Sequence, residues 1–272
     1  GVLVTDPEVR LNASFAAVAP HEGNVAFASQ SGALGEAILA RSRDLDLGLS
    51  AFVSLGNKAD VSGNDLLAWW GQDPRTKVIL LYLESLGDPR AFARAARSAT
   101  RSGKPILVVK SGRTAAGARA SASHTGSLAG VDEATTTLLE RCGVQRVTRV
   151  EGLFNLARAF SHQPVPRGPR VAIVSNAGGP GIMAADAATA YGLTMATFSL
   201  QTVAAMRGVL PAEASTHNPV DTIATASAET FGACVTAALV DPGVDAILPI
   251  YVGPSVMDVR AVAREIVASL ER

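Results

Sequence analysis

A chain of 272 residues, 48% of them hydrophobic, is long enough to bury two ordinary cores. Its 24 basic and 24 acidic residues cancel, which excludes the broad positive field of a nucleic-acid binder or of a protein held on an anionic membrane, so any anion site has to be local. The longest apolar runs, such as residues 78–83, fall far short of the roughly 20 residues that cross a bilayer.

Residues 1–22, opening GVLVTDPEVRLNASF, lack the positive start and apolar core of a signal peptide and read as the start of an excised or mature fragment. From Asn24 the chain repeats one unit: a short β-branched run, a turn with Gly or Ser, and an alanine-rich stretch of helical period. Strands are predicted over 25–28, 49–54, 78–83, 105–109 and 145–149, apolar through their middles as strands covered on both faces are. Helices are predicted over 35–47, 64–72, 90–102 and 132–142, several closed by Gly near the next strand. Right-handed crossovers between such strands give a parallel α/β sheet and a first domain over 23–162.

Three prolines and a glycine in HQPVPRGPR mark a linker over 163–169. A second series follows over 170–272: strand 170–175, helix 181–191, strand 193–197, helix 201–208, strand 246–251 and helix 256–270. It stops at SLER, directly after a helix, where a doubly wound sheet would return with another strand, so this domain is expected to be truncated. Cys142 and Cys234 stand far apart with no CxxC spacing and no companion histidines, which points to neither a disulfide framework nor a zinc site and fits a reducing cytoplasm.

Ligands of an open parallel sheet bind where strands hand over to helices at their C-terminal ends. The first such turn is SQSGALG, residues 29–35. Its small residues let backbone N–H groups approach an anion, its hydroxyls donate, and the helix start adds a positive partial charge; ordinary helix capping by Ser and Gly is the alternative. The second is SASHTGSLAG, residues 121–130, a small-residue loop holding His124, one of four histidines. A capping histidine in a surface loop is one reading. The other is a nucleophile, since neutral imidazole attacks phosphorus at cytoplasmic pH and no acid–Ser pairing or second metal-ligand residue stands nearby.

Such a histidine needs a group that orients its ring, and Glu84 in YLESLGD follows the apolar run 78–83 at the same sheet edge; a carboxylate complementing a helix start is the alternative. The second series has three comparable turns, SNAGGPG at 175–181, NPVDTIAT at 218–225 and GPSV at 253–256, each of which packing glycines would also explain.

Taken in order, SQSGALG, SLGNKADVSGNDLL, YLESLGD, KSGRT, SHTGSLAG, SNAGGPG and NPVD resemble the ADP-forming acyl-CoA synthetases, relatives of succinyl-CoA synthetase and ATP-citrate lyase, across nearly the whole chain. The resemblance implies two flavodoxin-like, doubly wound ligase domains and a phosphohistidine cycle linking acyl-CoA and phosphate to ADP. It makes His124 the phosphorylated residue and Glu84 its carboxylate partner, assigns Ser29, Ser31 and Gly32 with Gly253, Pro254 and Ser255 to two phosphate-binding helix starts, and aligns Gly56, Asn57, Ala177, Gly178 and Asn218 with positions that hold the acid. GPSV replaces the glycine pair of succinyl-CoA synthetase.

By the same likeness a CoA-binding Rossmann domain would precede Gly1 and an ATP-grasp domain or subunit would hold ATP or ADP with Mg, so this stretch would bind none of these cofactors tightly by itself and would work in a homo- or hetero-oligomer. No Walker A motif takes their place. Two alternatives belong to other classes: the regulatory ligase-like region of a GNAT-type lysine acetyltransferase, and a flavodoxin-like module using SQSGALG for a phosphate-bearing cofactor.

Overall fold

The structure, a computed structural model, describes the chain apart from residues 18, 57, 59, 126–131, 254–257 and 271–272 and apart from the side chains of 121–125. It divides into two compact units, Gly1–Val165 and Pro166–Arg272.

Unit 1 is built on seven strands in the order β2 (Leu11–Ala13), β1 (Val2–Val4), β4 (Leu49–Ser54), β3 (Glu22–Ser29), β5 (Val78–Leu83), β6 (Ile106–Lys110) and β7 (Gln145–Val147). From β4 to β7 every pairing is parallel, as the βα alternation requires. The other two strands differ from the all-parallel expectation: β1 runs antiparallel to both β4 and β2. Three residues each are too few to display a period, and they cover what would otherwise be the open edge of β4.

Among the described residues six helices accompany these strands: α1 (Gly32–Asp44), α2 (Gly63–Gln72), α3 (Pro89–Arg101), α4 (Ala115–Thr125), α5 (Asp132–Arg141) and α6 (Val150–His162). Local chemistry starts several of them. Ser62 and Asp65 form a reciprocal capping box on α2, and Asp88 caps α3 with Pro89 in its first turn. Alternate residues of the central strands bury to opposite faces. Val25, Phe27, Leu80 and Leu107 pack with Ile38 and Leu39 of α1 and Leu153 and Phe154 of α6. Ala26, Ala28, Ile79, Leu81 and Val108 pack with Leu67 and Trp70 of α2 and with Phe92 of α3. Since α1 covers one face and α2 and α3 the other, the sheet has its topological switch point between β3 and β5.

Unit 2 has a parallel sheet ordered β10 (Val220–Asp221), β8 (Arg170–Ser175), β11 (Ala246–Ile250), with β9 (Thr194–Met195) also on β8. Its helices are α7 (Gly178–Ala190), α8 (Leu200–Arg207), α9 (Ala228–Leu239) and α10 (Val259–Ser269). The core gathers Ala172 and Val174 of β8 with Met206 of α8 and Phe231, Cys234 and Val235 of α9.

Each unit encloses one free cysteine, Cys142 and Cys234. Burial pushes the Cys234 thiol up to about 11. No helix among the described residues is long and apolar enough to cross a membrane.

Candidate functional site

The crevice between β3 and β5 brings two of the sequence motifs together. Ser29 ends β3 beside Tyr82 of β5, and the chain then turns directly into α1. The buried Ser29 hydroxyl donates to the Ser31 carbonyl at 2.7 Å and accepts the Ser31 N–H at 3.2 Å, while Ser31 caps α1 by accepting from the Leu34 N–H. The turn is thereby held with Gly32 and the helix start exposed, the condition for receiving an anion on backbone N–H groups. Gly35 lets α1 lie flush on the sheet: a Cβ there would stand 2.6 Å from the ring of Phe52.

Glu84 follows β5 on the other lip of the crevice. A residue that the sequence reading passed over links the two lips. Gln30, only 6% exposed, accepts the backbone N–H groups of both Glu84, at 2.6 Å, and Ser85, at 3.0 Å, through one oxygen, Oε1. Its own N–H donates to the Tyr82 carbonyl.

Lys58, in the left-handed conformation at φ 55°, donates from Nζ to the Ser85 carbonyl and hydroxyl, both at 2.9 Å. Gly56, two residues earlier, has φ 54° with open space where a Cβ would be, so the SLGN turn needs glycine for its backbone and not for room. Asn57 lies outside the described residues.

Lysine charge gathers at this edge. Burial lowers the Lys58 pKa below the ordinary lysine value, Glu84 opposing that shift and Lys110 adding to it. Lys110, at the end of β6 and 9% exposed, is likewise lowered first by burial and then by Arg146, with Asp132 and Glu84 opposing. Arg146 in turn pairs with Asp132, whose carboxyl is held below its usual range chiefly by that hydrogen bond. Among the described residues no three His, Cys, Asp or Glu gather as a metal site.

His124 departs from the loop expectation. Its backbone belongs to α4, whose run from Ala115 to Thr125 is rich in alanine and continues as helix through SASHT. Thr114 accepts the Gly117 N–H at the start of that helix. The His124 side chain is outside the described residues, as is the rest of the loop after Thr125.

Unit 2 repeats the crevice geometry between β8 and β11. Ser175 donates to the Ala177 carbonyl and accepts its N–H. Asn176, 2% exposed, takes the place of Gln30, accepting the Val252 N–H at 2.7 Å and donating to the Val252 carbonyl at 3.0 Å. The two turns share the pattern Ser-(Gln or Asn)-x-Gly-x-x-Gly, which was the signal for Gln30 in the sequence.

The surroundings differ. Where Ser54 lies beside Ser29, Asp221 lies beside Ser175, and its carboxylate is 3.3 Å from where a Cβ on Gly178 would stand. Asn218 has its amide engaged by three backbone groups: it accepts the Ile173 N–H at 2.9 Å and donates to the carbonyls of Val171 at 2.8 Å and Ala196 at 2.9 Å. Its side chain is committed to the sheet, which no sequence spacing reveals. Gly253 is exposed, and Pro254 and Ser255 lie outside the described residues.

Comparison with known proteins places both units in a family. The family model described as "Succinyl-CoA ligase like flavodoxin domain" matches residues 22–160, and the one described as "Ligase-CoA domain" matches 171–271. The chain is 41% identical over 260 residues to acetate–CoA ligase (ADP-forming) I of Archaeoglobus fulgidus, covering 96% of this chain and 38% of that one. To the alpha subunit of acetate–CoA ligase (ADP-forming) II of Pyrococcus furiosus it is 40% identical over 93% of this chain and 54% of that subunit. The structure of dinucleotide-forming acetyl-coenzyme A synthetase 1 of Candidatus Korarchaeum cryptofilum, in complex with phosphate and ADP, superposes with a TM-score of 0.93 at 37% identity, covering all of this chain and 58% of that one.

The chain thus spans about 38 to 58% of the length of these three relatives. These relatives are acid–CoA ligases, which favours the ligase reading over the acetyltransferase-linked one. The chain belongs to the succinyl-CoA ligase-like family, its two flavodoxin-like units being those of the ADP-forming acid–CoA ligases.

Proposed function

We propose that this chain is the phosphoryl relay of an ADP-forming acid–CoA ligase of the acetate type, with His124 as carrier and Glu84 as the carboxylate that orients it. Phosphate attacks the thioester carbonyl of an acyl-CoA and CoA leaves, giving an acyl phosphate. A ring nitrogen of His124 attacks its phosphorus and the free carboxylate departs. The phosphohistidine then passes its phosphoryl group to ADP, restoring the imidazole.

In this reading Ser29, Ser31 and Gly32 bind the phosphoryl oxygens by the anion-accepting α1 start, with Gly253, Pro254 and Ser255 as the second phosphate turn. Gly56, Asn57, Ala177 and Gly178 border the acid, and Asn218 serves them by bracing the sheet. CoA and the nucleotide with its Mg are assigned to other segments of the parent protein or to a partner subunit, in the cytoplasm, and no step above runs through the metal. The observation that carries the proposal is the meeting of an exposed, capped helix start with Glu84 at one switch point, tied by Gln30.

The full-length parent protein incubated with labelled ATP should give an acid-labile, base-stable phosphoprotein that His124→Ala abolishes. Equal labelling of that variant overturns the proposal.

A further inference from the structure

We infer that Gln30 is a positioning residue for Glu84, tying the carboxylate's backbone to the anion-accepting turn so that the two act as one rigid piece. The inference rests on the phosphoryl-relay reading.

Gln30 lies between Ser29 and Ser31, inside the turn, yet its side chain leaves that turn and ends on the next strand. A single carbonyl oxygen receives the N–H groups of two successive residues, Glu84 and Ser85. From the other side Lys58 holds the Ser85 carbonyl and hydroxyl. Four polar groups of a two-residue segment are thus occupied by side chains from two neighbouring strand ends, and the direction in which Glu84 leaves the backbone is set by them. Any movement of the Ser29–Gly32 turn on taking up an anion would be passed to Glu84 through a side chain that is 6% exposed and bonded to both neighbouring N–H groups.

Unit 2 supplies an internal control. Asn176 makes the corresponding bridge from its own turn to Val252, two residues beyond Ile250 as Glu84 is two beyond Tyr82. The device is therefore shared by both sheets, but in unit 1 alone the residue it holds carries a carboxylate. Unit 2's shorter asparagine bonds both groups of one residue. The glutamine in unit 1, one methylene longer, reaches the N–H groups of two, which constrains the segment more tightly.

The test uses the full-length parent protein and single-turnover phosphorylation by labelled ATP. Gln30→Met keeps the side-chain volume and removes the acceptor; labelling should slow on the order of 10²-fold, as for a reacting group displaced by about an ångström. The loss should vanish in the Glu84→Gln background, because the glutamine acts only through that carboxylate. Hydrogen exchange should show the Glu84 and Ser85 amides losing protection while the β3 and β5 amides keep theirs. Should Gln30→Met fail to fold, Gln30→Asn, too short to reach both N–H groups, runs through the same cycle.

Labelling by Gln30→Met at the wild-type rate overturns the inference. So does a loss of equal factor with and without Glu84, which would mark a merely structural role. A wild-type protein that does not label, or a His124→Ala variant that does, overturns the underlying phosphoryl-relay reading instead.

Discussion

SQSGALG and SNAGGPG fold into nearly the same object. In each, a buried serine ends a parallel strand, folds its hydroxyl back onto the residue two positions on, and hands over to a helix whose fourth residue is a glycine against the sheet. In each, an amide side chain bridges to the turn after a neighbouring parallel strand, β5 in unit 1 and β11 in unit 2. What differs is what surrounds that frame. Unit 1 presents Glu84 flanked by Lys58 and Lys110, with Ser54 beside the turn; unit 2 presents Val252, with Asp221 beside the turn. A carboxylate next to a helix start competes with an incoming anion for the same partial charge, whereas a hydroxyl does not. The frame is architecture common to both units, and the two copies differ in a few residues at its rim.

Substitutions made in pairs, one in each unit, test that contrast. The largest effect is expected at Glu84. Glu84→Ala should slow phosphoryl transfer by roughly 10²–10⁴-fold, the range for loss of an acid–base partner, whereas Val252→Ala should leave it within about twofold; rapid-quench labelling distinguishes the two.

Next come the packing glycines. Gly35→Ala drives a methyl to 2.6 Å from the buried Phe52 ring, which packs at a tilt against Phe27, and should destabilise unit 1 by about 1–3 kcal/mol in urea unfolding. At Gly181 the nearest atoms lie 3.5 Å away, an ordinary contact, so Gly181→Ala should be neutral or should gain up to about 1 kcal/mol of helix propensity.

The serines should behave alike in stability and unlike in function. Ser29→Ala and Ser175→Ala each remove a hydroxyl with two backbone partners and should cost about 1–2 kcal/mol by hydrogen exchange of the flanking strand. Only Ser29→Ala should weaken phosphate binding as well.

The smallest effect belongs to Asp245. Hydrogen bonds from Arg170 hold its carboxyl well below the usual range, at about 2. A depressed acid contributes stability that is fully present above the ordinary value of about 3.9 and is lost as pH falls through the folded one. Asp245→Asn should therefore flatten the acid limb of unit 2 unfolding between about pH 5 and pH 2 and leave unit 1 unchanged, as read by circular dichroism.

Much of this frame was readable because it is local. Strands 49–54, 78–83 and 170–175 stand where their apolar runs begin and end, since burial on both faces writes itself into consecutive residues. The end of helix α4, residues 121–125, reads as a loop because alanine and serine leave no apolar stripe, and α9 shows no helical stripe because its residues bury nearly all round. Strand β10, two residues in the NPVD turn, has no length in which to show a period. The Ser29–Gly32 turn and Glu84 were legible as motifs. The pattern shared by the two turns marks the place of Gln30, but its partner and the roles of Lys58 and Asp221 are not legible, because they depend on which strands become neighbours: Ser29 meets Tyr82, and Ser175 meets Asp221, across more than forty residues of chain. Asn218 shows the converse, a motif residue whose amide the sheet has already taken.

The placement of the two cysteines has a practical consequence. Each unit encloses a single thiol, Cys142 beneath α3 and α5 and Cys234 within α9, both almost wholly shielded. A thiol-reactive dye can reach either one only when the structure around it opens, so the unmodified chain carries one clock in each unit. Digestion and mass mapping after timed labelling would read the opening rate of each half separately, with no tag and no substitution.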